Sequence, residues 1–274
     1  MCALGWLLIA MGLASAARAG SGHHMIVMPS GEYIVGGKGH AANPQRTVRL
    51  AAFEISDAET TNAQFARFVK AAGYVTDAEK SGFGMVSREG MIDWEWEKVR
   101  GACWRLPQGP KGPRAAEITD HPVTQISGAD AEAYCRWAGG RLPGIEEWEV
   151  AARGGSRARF PWGKTFEAKK ANIWNGDSHL RNTMADGFLF TAPVRSYLPN
   201  KSGLYDVIGN VFEYCSGFPN GVSKESRPGL IAARGGSWWC SQGTCGFFNL
   251  VDIGVMDRHG SLSNQGFRLA MTAR

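Results

Sequence analysis

Beyond residue 20 the chain has no apolar run of membrane-spanning length, and nowhere does it have a Lys/Arg run interleaved with aromatics. The first absence leaves no transmembrane helix to be expected after the N-terminus. The second, with a formal net charge of only +5 over 274 residues, argues against nucleic acid as a partner. No internal repeat and no low-complexity linker divides the sequence, and after residue 155 no helical period can be found. A single α+β domain with abundant loop is the expectation.

Cysteine is scarce and does not come out even. Of six cysteines, Cys2 lies at the N-terminus, in what reads as an export signal. Residues 4–13 are almost unbroken apolar sequence, the length of a signal-peptide core, and Ala17-Arg18-Ala19 offers a small-x-small cleavage site. No Lys or Arg precedes the apolar run, and a buried N-terminal strand is the alternative. The expected division is a signal peptide over 1–19 and one domain over 20–274, with no membrane attachment once the signal is cleaved. Five cysteines then remain: Cys103, Cys135, Cys215, Cys240 and Cys245. An odd number leaves at least one thiol outside any internal disulfide framework.

Glycine and tryptophan are abundant. The 36 glycines are roughly twice the usual ~7%, and 10 tryptophans accompany them. That combination suits an irregular backbone pinned by large aromatic anchors. Three helices are legible. Thr61-Asn62-Ala63-Gln64 is a capping box before Phe65, Phe68 and Val69, and Gly73 ends that helix. Ser127 caps a second helix through Tyr134 and Trp137, and a third follows Pro143 through Ile145, Trp148 and Ala152 to Gly154. Residues 25–35 and 47–55 alternate as strands do.

The sharpest chemical feature is Cys240 and Cys245, four residues apart, just after Arg234-Gly235-Gly236-Ser237. On a loop, that pair has three readings: a disulfide, a redox dithiol, or a site for a soft metal such as Cu(I). Trp238 and Trp239 beside it could pack over a substrate ring or fill the core.

Several motifs occur together and in order. Thr61-Asn62-Ala63-Gln64-Phe65, Ala133-Tyr134-Cys135-Arg136-Trp137-Ala138-Gly139, Arg141-Leu142-Pro143 and Phe160-Pro161-Trp162-Gly163 come first. Gly203-Leu204-Tyr205-Asp206, Gly209-Asn210, Arg234-Gly235-Gly236-Ser237 and Gly266-Phe267-Arg268 follow. Together they resemble the formylglycine-generating-enzyme (sulfatase-modifying factor) family over nearly the whole mature chain. The resemblance implies a variant of the C-type-lectin-like fold, poor in regular secondary structure. It also implies an O2-dependent oxidoreductase in which Cys240 and Cys245 hold Cu(I), with Ser237 as the active-site serine. Two structural calcium sites are implied as well: Asn172 and Asp186 with the carbonyls of Ile173 and Phe188, and Asp206 and Glu213 with the carbonyls of Gly209 and Val211.

The departures from the family bear on the substrate. Formylglycine-generating members follow the second active cysteine with an Arg-aromatic-Arg stretch, whereas residues 246–252 contain no basic residue. Recognition of a sulfatase Cys-x-Pro-x-Arg segment is thereby put in doubt, and Phe247 and Phe248 suit a flat phenolic ring. The resemblance extends to a periplasmic member that oxidises the dihydro precursor of the pyoverdine siderophore, and periplasmic maturation of such a chromophore is the leading expectation. A formylglycine generator acting on a sulfatase cysteine is one alternative, and a non-catalytic lectin-like binding module is another. The substrate expected is a peptide or a peptide-derived small molecule. Cys103 and Cys215 stand where the family has small polar residues and could pair with each other. Cys135 is expected as a buried thiol, and His23-His24 as a flexible tail. Gly144 replaces the hydroxyl cap of the third helix.

Overall fold

A computed structural model describes residues 22–92, 94–243 and 245–273; the expected signal segment lies outside the described residues. The helices start where the sequence caps them. Helix α1 (Asn62–Ala72) opens on a complete box, with Gln64 N donating to Thr61 Oγ1 (3.2 Å) and Thr61 N donating to Gln64 Oε1 (2.8 Å). Its end is Gly73 at φ 59°, the left-handed position that favours glycine. Helix α2 (Asp77–Ser81) is a short element with its own Thr76/Glu79 box. Helix α3 (Gly128–Trp137) is capped by Ser127 and Asp130. Helix α4 (Ile145–Arg153) has half a box: Gly144 N donates to Glu147 Oε2 (2.7 Å), with no side-chain cap in return.

The strands are short. Residues 25–35 form two strands, β1 (Met25–Met28) and β2 (Gly31–Val35), because Pro29 between them has no N–H to give to a ladder. Residues 46–56 likewise divide into β3 (Arg46–Leu50) and β4 (Phe53–Ser56). β2 pairs antiparallel with β3, and β5 (Phe83–Val86) with β6 (Glu97–Arg100). β1 and the C-terminal β11 (Ala270–Thr272) flank β4 in an antiparallel three-stranded sheet. The remaining sheet has the order β10-β7-β8-β9, from Gln265–Gly266, Phe212–Cys215, Leu230–Arg234 and Gly254–Asp257. β7, β8 and β9 are antiparallel neighbours, and β10 runs parallel to β7. Beyond α4 only two 3-10 turns are helical among the described residues. The fold class and the low regular content agree with the sequence.

The core joins α1, α3 and α4 to these sheets. Phe65, Phe68, Tyr134, Trp137 and Phe267 interlock, with Phe68 and Tyr134 meeting edge to face at 5.6 Å. Cys135 is a buried free thiol whose pKa is pushed up by its burial. Cys103 and Cys215 do not pair: both are free, and Cys215 is enclosed in β7. No helix among the described residues is long and apolar enough to cross a membrane.

His23 is not a tail residue. Its ring meets Tyr134 edge-on, and Nε2 lies 2.8 Å from the Tyr134 hydroxyl. Burial, reinforced by the nearby Arg67 charge, holds its pKa down at about 4 against an ordinary 6.5. The unfolded chain therefore takes up this proton before the native one does. The stabilisation is complete above pH 6.5 and is lost as pH falls toward about 4, worth up to about 3 kcal/mol. Urea unfolding at about pH 7 and about pH 4.5 should show a smaller acid loss in His23→Gln than in the unaltered chain.

Candidate active site

Strand β8 delivers the site. It ends at the buried Arg234, whose guanidinium lies over the Trp148 ring and donates to Glu149 Oε2 (3.0 Å) and to the Leu250 carbonyl (2.6 Å). The chain then turns through Gly235 (φ 89°) and Gly236 (φ 75°). A Cβ on Gly236 would stand 2.6 Å from the Phe248 backbone, so both the dihedral and the close approach require glycine. Gly209 N donates to Gly235 O (2.9 Å) and Trp238 N to Asn210 O (2.9 Å), seating this turn on the 206–211 turn.

Ser237 is fully buried at the foot of the cysteine loop. Its Oγ accepts from Asn264 Nδ2 (2.9 Å) and from Trp239 N (3.4 Å). With both lone-pair directions used, its proton is left for Cys240 Sγ, 4.0 Å away. Cys240 N donates to Ser237 O (2.9 Å), and Cys240 O accepts from Trp174 N (2.9 Å). Cys240 and Cys245 are joined as a disulfide, Cα to Cα 4.8 Å, and are only 1% and 4% exposed. A cleft of about 540 Å³ borders the loop, lined by Trp174, Asn175, Asp177 and Thr183 and by Gln242 and Gly243 from between the cysteines. Reduced, the pair offers two adjacent soft thiolates beside an open cleft, with a hydroxyl to stabilise charge on one of them.

The aromatic residues expected to touch substrate are mostly interior. Trp238 is 1% exposed and donates from Nε1 to Ser263 O (3.1 Å). Trp239 is enclosed, stacked on His179 at 3.8 Å. Phe248 is buried against Phe160 and Phe166. Their role is to hold the loop from behind. Phe247 alone is partly exposed, 6.3 Å from Phe212. The missing basic stretch has a neighbour from elsewhere in the chain: Arg159 Nη2 lies 4.0 Å from where a Gly246 Cβ would stand. Arg159 shares a cavity of about 840 Å³ with Lys38, Arg157 and the paired His40 and Asp252. His259 is exposed and faces Asp77, away from Asp252.

The two expected calcium sets differ in what their contacts ask for. In the first, Asp186 accepts backbone N–H groups from Ile173 and Phe188 (both 3.1 Å). Asn175 Nδ2 donates to the Ile173 carbonyl, and Asn172 Nδ2 donates to Phe190 O and Asn210 Oδ1. The set's single carboxylate is thus already committed, and nothing there calls for a cation. In the second, Asp206 Oδ1 is buried without a partner, and burial pushes the carboxyl up to about 7. Glu59, fully enclosed, is pushed well above its ordinary value by burial and then by Asp206 and Glu213. Glu213 itself is held by Arg268 and by Trp148 Nε1 (2.7 Å). No three acidic, His or Cys side chains among the described residues form a ready cage, so a cation at Asp206 and Glu59 would need carbonyls such as Gly209 and Val211. This second set fits a hard cation.

A family model described as the sulfatase-modifying factor enzyme 1-like domain matches residues 11–273. The chain belongs to that family. A formylglycine-generating enzyme of Streptomyces coelicolor is 40% identical to it, with 94% of this chain and 92% of that one covered. That of Bos taurus is 36% identical, with 90% and 74% covered. An inactive Cα-formylglycine-generating enzyme 2 of Mus musculus is 33% identical, with 91% and 86% covered. The solved structure of PvdO from Pseudomonas aeruginosa superposes with a TM-score of 0.67 at 24% identity, covering 91% of this chain and 94% of that one. That likeness speaks to fold. Formylglycine generation is an oxidation, so the relatives named for it are oxidases. The inactive relative shows that family membership alone does not carry activity, and the weight falls on the cysteine loop.

Three site residues are not singled out by the sequence reading. Asn264 had a signal in its place two residues before Gly266-Phe267-Arg268. Glu59 had one as a lone acid leading into the α1 cap. Arg159 had none, because its nearness to Gly246 is set by tertiary packing.

Proposed function

We propose that this chain is an exported, periplasmic O2-dependent oxidase of the formylglycine-generating type, acting on the cysteine of a polypeptide. The observation that carries the reading is the Cys240–Cys245 pair above the buried Ser237, on the edge of an open cleft. The disulfide is the oxidised form of that pair. Reduced, Cys240 and Cys245 would hold Cu(I), which supplies O2 activation when bound. The chain's own residues do the rest: Asn264 orients Ser237, Ser237 presents its proton to Cys240, and the 174–183 segment walls the cleft. Identities of 36–40% to formylglycine-generating enzymes along most of the chain support the same reading. Arg157 and Arg159 supply positive charge near the groove that residues 246–252 lack.

Maturation of a siderophore chromophore is the second reading. Its support is the partly exposed Phe247 and the PvdO-like fold; with Phe248 and both tryptophans buried, no flat aromatic wall is open. The test supplies reduced, Cu(I)-loaded protein and O2 with a cysteine peptide and, separately, a dihydro chromophore precursor. Mass analysis should show the peptide losing its thiol and gaining an aldehyde. Turnover of the precursor with an unmodified peptide would reverse the order of the two readings, and a non-catalytic module would turn over neither.

We propose calcium at Asp206 and Glu59 as well, with a structural role, since Asp206 anchors the turn on which the cysteine loop is seated. Chelation should lower the melting temperature and calcium should restore it, with both responses absent in Asp206→Asn. An unchanged melting temperature on chelation would remove the ion.

A further inference from the structure

Large apolar side chains left in solvent are few among the described residues, and four of them lie on two loops beside the cysteine cleft. Ile92 is 68% exposed and Trp94 57%, on the loop between β5 and β6. Leu180 is 63% exposed and Met184 50%, on the segment whose Thr183 lines the cleft. The loops are tied together: Gly90 N donates to His179 O (2.9 Å), and Asn182 N donates to Glu89 Oε1 (2.8 Å). The first loop is also fastened inward, because Met91 and Trp96 pack on the Trp174, Trp238 and Trp239 cluster behind Cys240. Ile92 and Trp94, between those anchors, are left facing outward.

Exposure is not the whole case. Trp94 (φ 62°) and Met184 (φ 51°) both have left-handed backbone, which costs a bulky residue roughly 1–2 kcal/mol. Neither ring nor thioether repays that cost by burial. Strain kept at exposed apolar positions on the rim of a reaction cleft marks a surface shaped for something else. The neighbouring charges Arg88 and Glu97 are paired with each other, so the rim does not select by charge.

We propose that these two loops are a docking rim for the substrate polypeptide, gripping apolar side chains that flank its reacting cysteine in an extended stretch of chain. The inference rests on the polypeptide reading above. The rim continues directly into the cleft through Thr183 and Asp177, so a chain threaded past Gly243 runs over Met184 and Leu180. A peptide with leucine or phenylalanine beside the cysteine matches it, and one with only polar neighbours does not.

The test separates binding from turnover. Fluorescently labelled peptides carry serine in place of the reacting cysteine, flanked either by Leu and Phe or by Gln and Ser. The partner variant is Trp94→Asn with Met184→Asn, because asparagine tolerates the left-handed backbone and should keep the melting temperature at or above its original value. The unaltered protein should bind the apolar-flanked peptide on the order of tenfold more tightly than the variant does, corresponding to about 1.4 kcal/mol. With the cysteine form of the same peptide, KM should rise by a similar factor while kcat stays level. Equal binding by both proteins would overturn the rim while leaving the oxidase reading to its own assay. Loss of binding in the variant with no oxidation by either protein would support the rim and sink the oxidase. Self-association of the unaltered protein that the variant loses, without peptide binding, would give the face to a second copy and overturn the proposal.

Discussion

The buried pairing of Arg268 with Glu213 is the constraint on which the rest of this structure leans. Arg268 Nε and Nη2 donate to the two Glu213 oxygens at 2.5 and 2.6 Å, and the remaining donors reach the carbonyls of Ser56, Asp57 and Tyr205. One guanidinium thereby joins β7, the end of β4 and the turn leading to Asp206. Trp148 of α4 donates to the same carboxylate, which adds the helix. In a domain with so little ladder, such a hub does what long strands do elsewhere. Removing one partner would strand a buried charge at a cost of roughly 3–5 kcal/mol.

From that hub the path to the chemistry is short. The 206–211 turn is held by Glu59, which accepts from Asn210 Nδ2 (2.6 Å) and from Val211 N (3.2 Å). The Gly235–Gly236 turn rests on it, and Ser237, Cys240 and Cys245 follow within one loop. Each link is a backbone or buried polar contact, so the cysteine pair is placed by the interior of the protein, while its open side meets the cleft. Surplus carboxylate at Asp206 and Glu59 is tolerable in such a place only if burial keeps them protonated or a cation joins them.

The helices and the cysteine loop were legible from the sequence because their signals are local. Thr61 with Gln64 and Ser127 with Asp130 cap as read, and Gly73 and Gly154 stop their helices in the left-handed region. The Thr76-x-x-Glu79 box of the short helix was as plain as the others and was passed over, since five residues carry no period. Sheet membership was not legible: β1 and β2 read as one strand, and only tertiary pairing sends them to different sheets. Burial was the hardest to read. A tryptophan beside a cysteine looks the same in sequence whether it faces substrate or, as Trp239 does, stacks on an interior histidine. The supposed Cys103–Cys215 bond failed because two unmatched thiols carry no information about distance.

The central claim is that Cys240 and Cys245 are a working thiolate pair that binds copper. Anaerobic titration of the reduced mature chain with Cu(I), beside the Cys240→Ser, Cys245→Ser double variant, tests it most directly. A single tight equivalent present in the unaltered protein and absent from the variant is the result this account predicts. Binding no tighter than the variant's would contradict it, leaving the family and fold in place and the pair a structural disulfide.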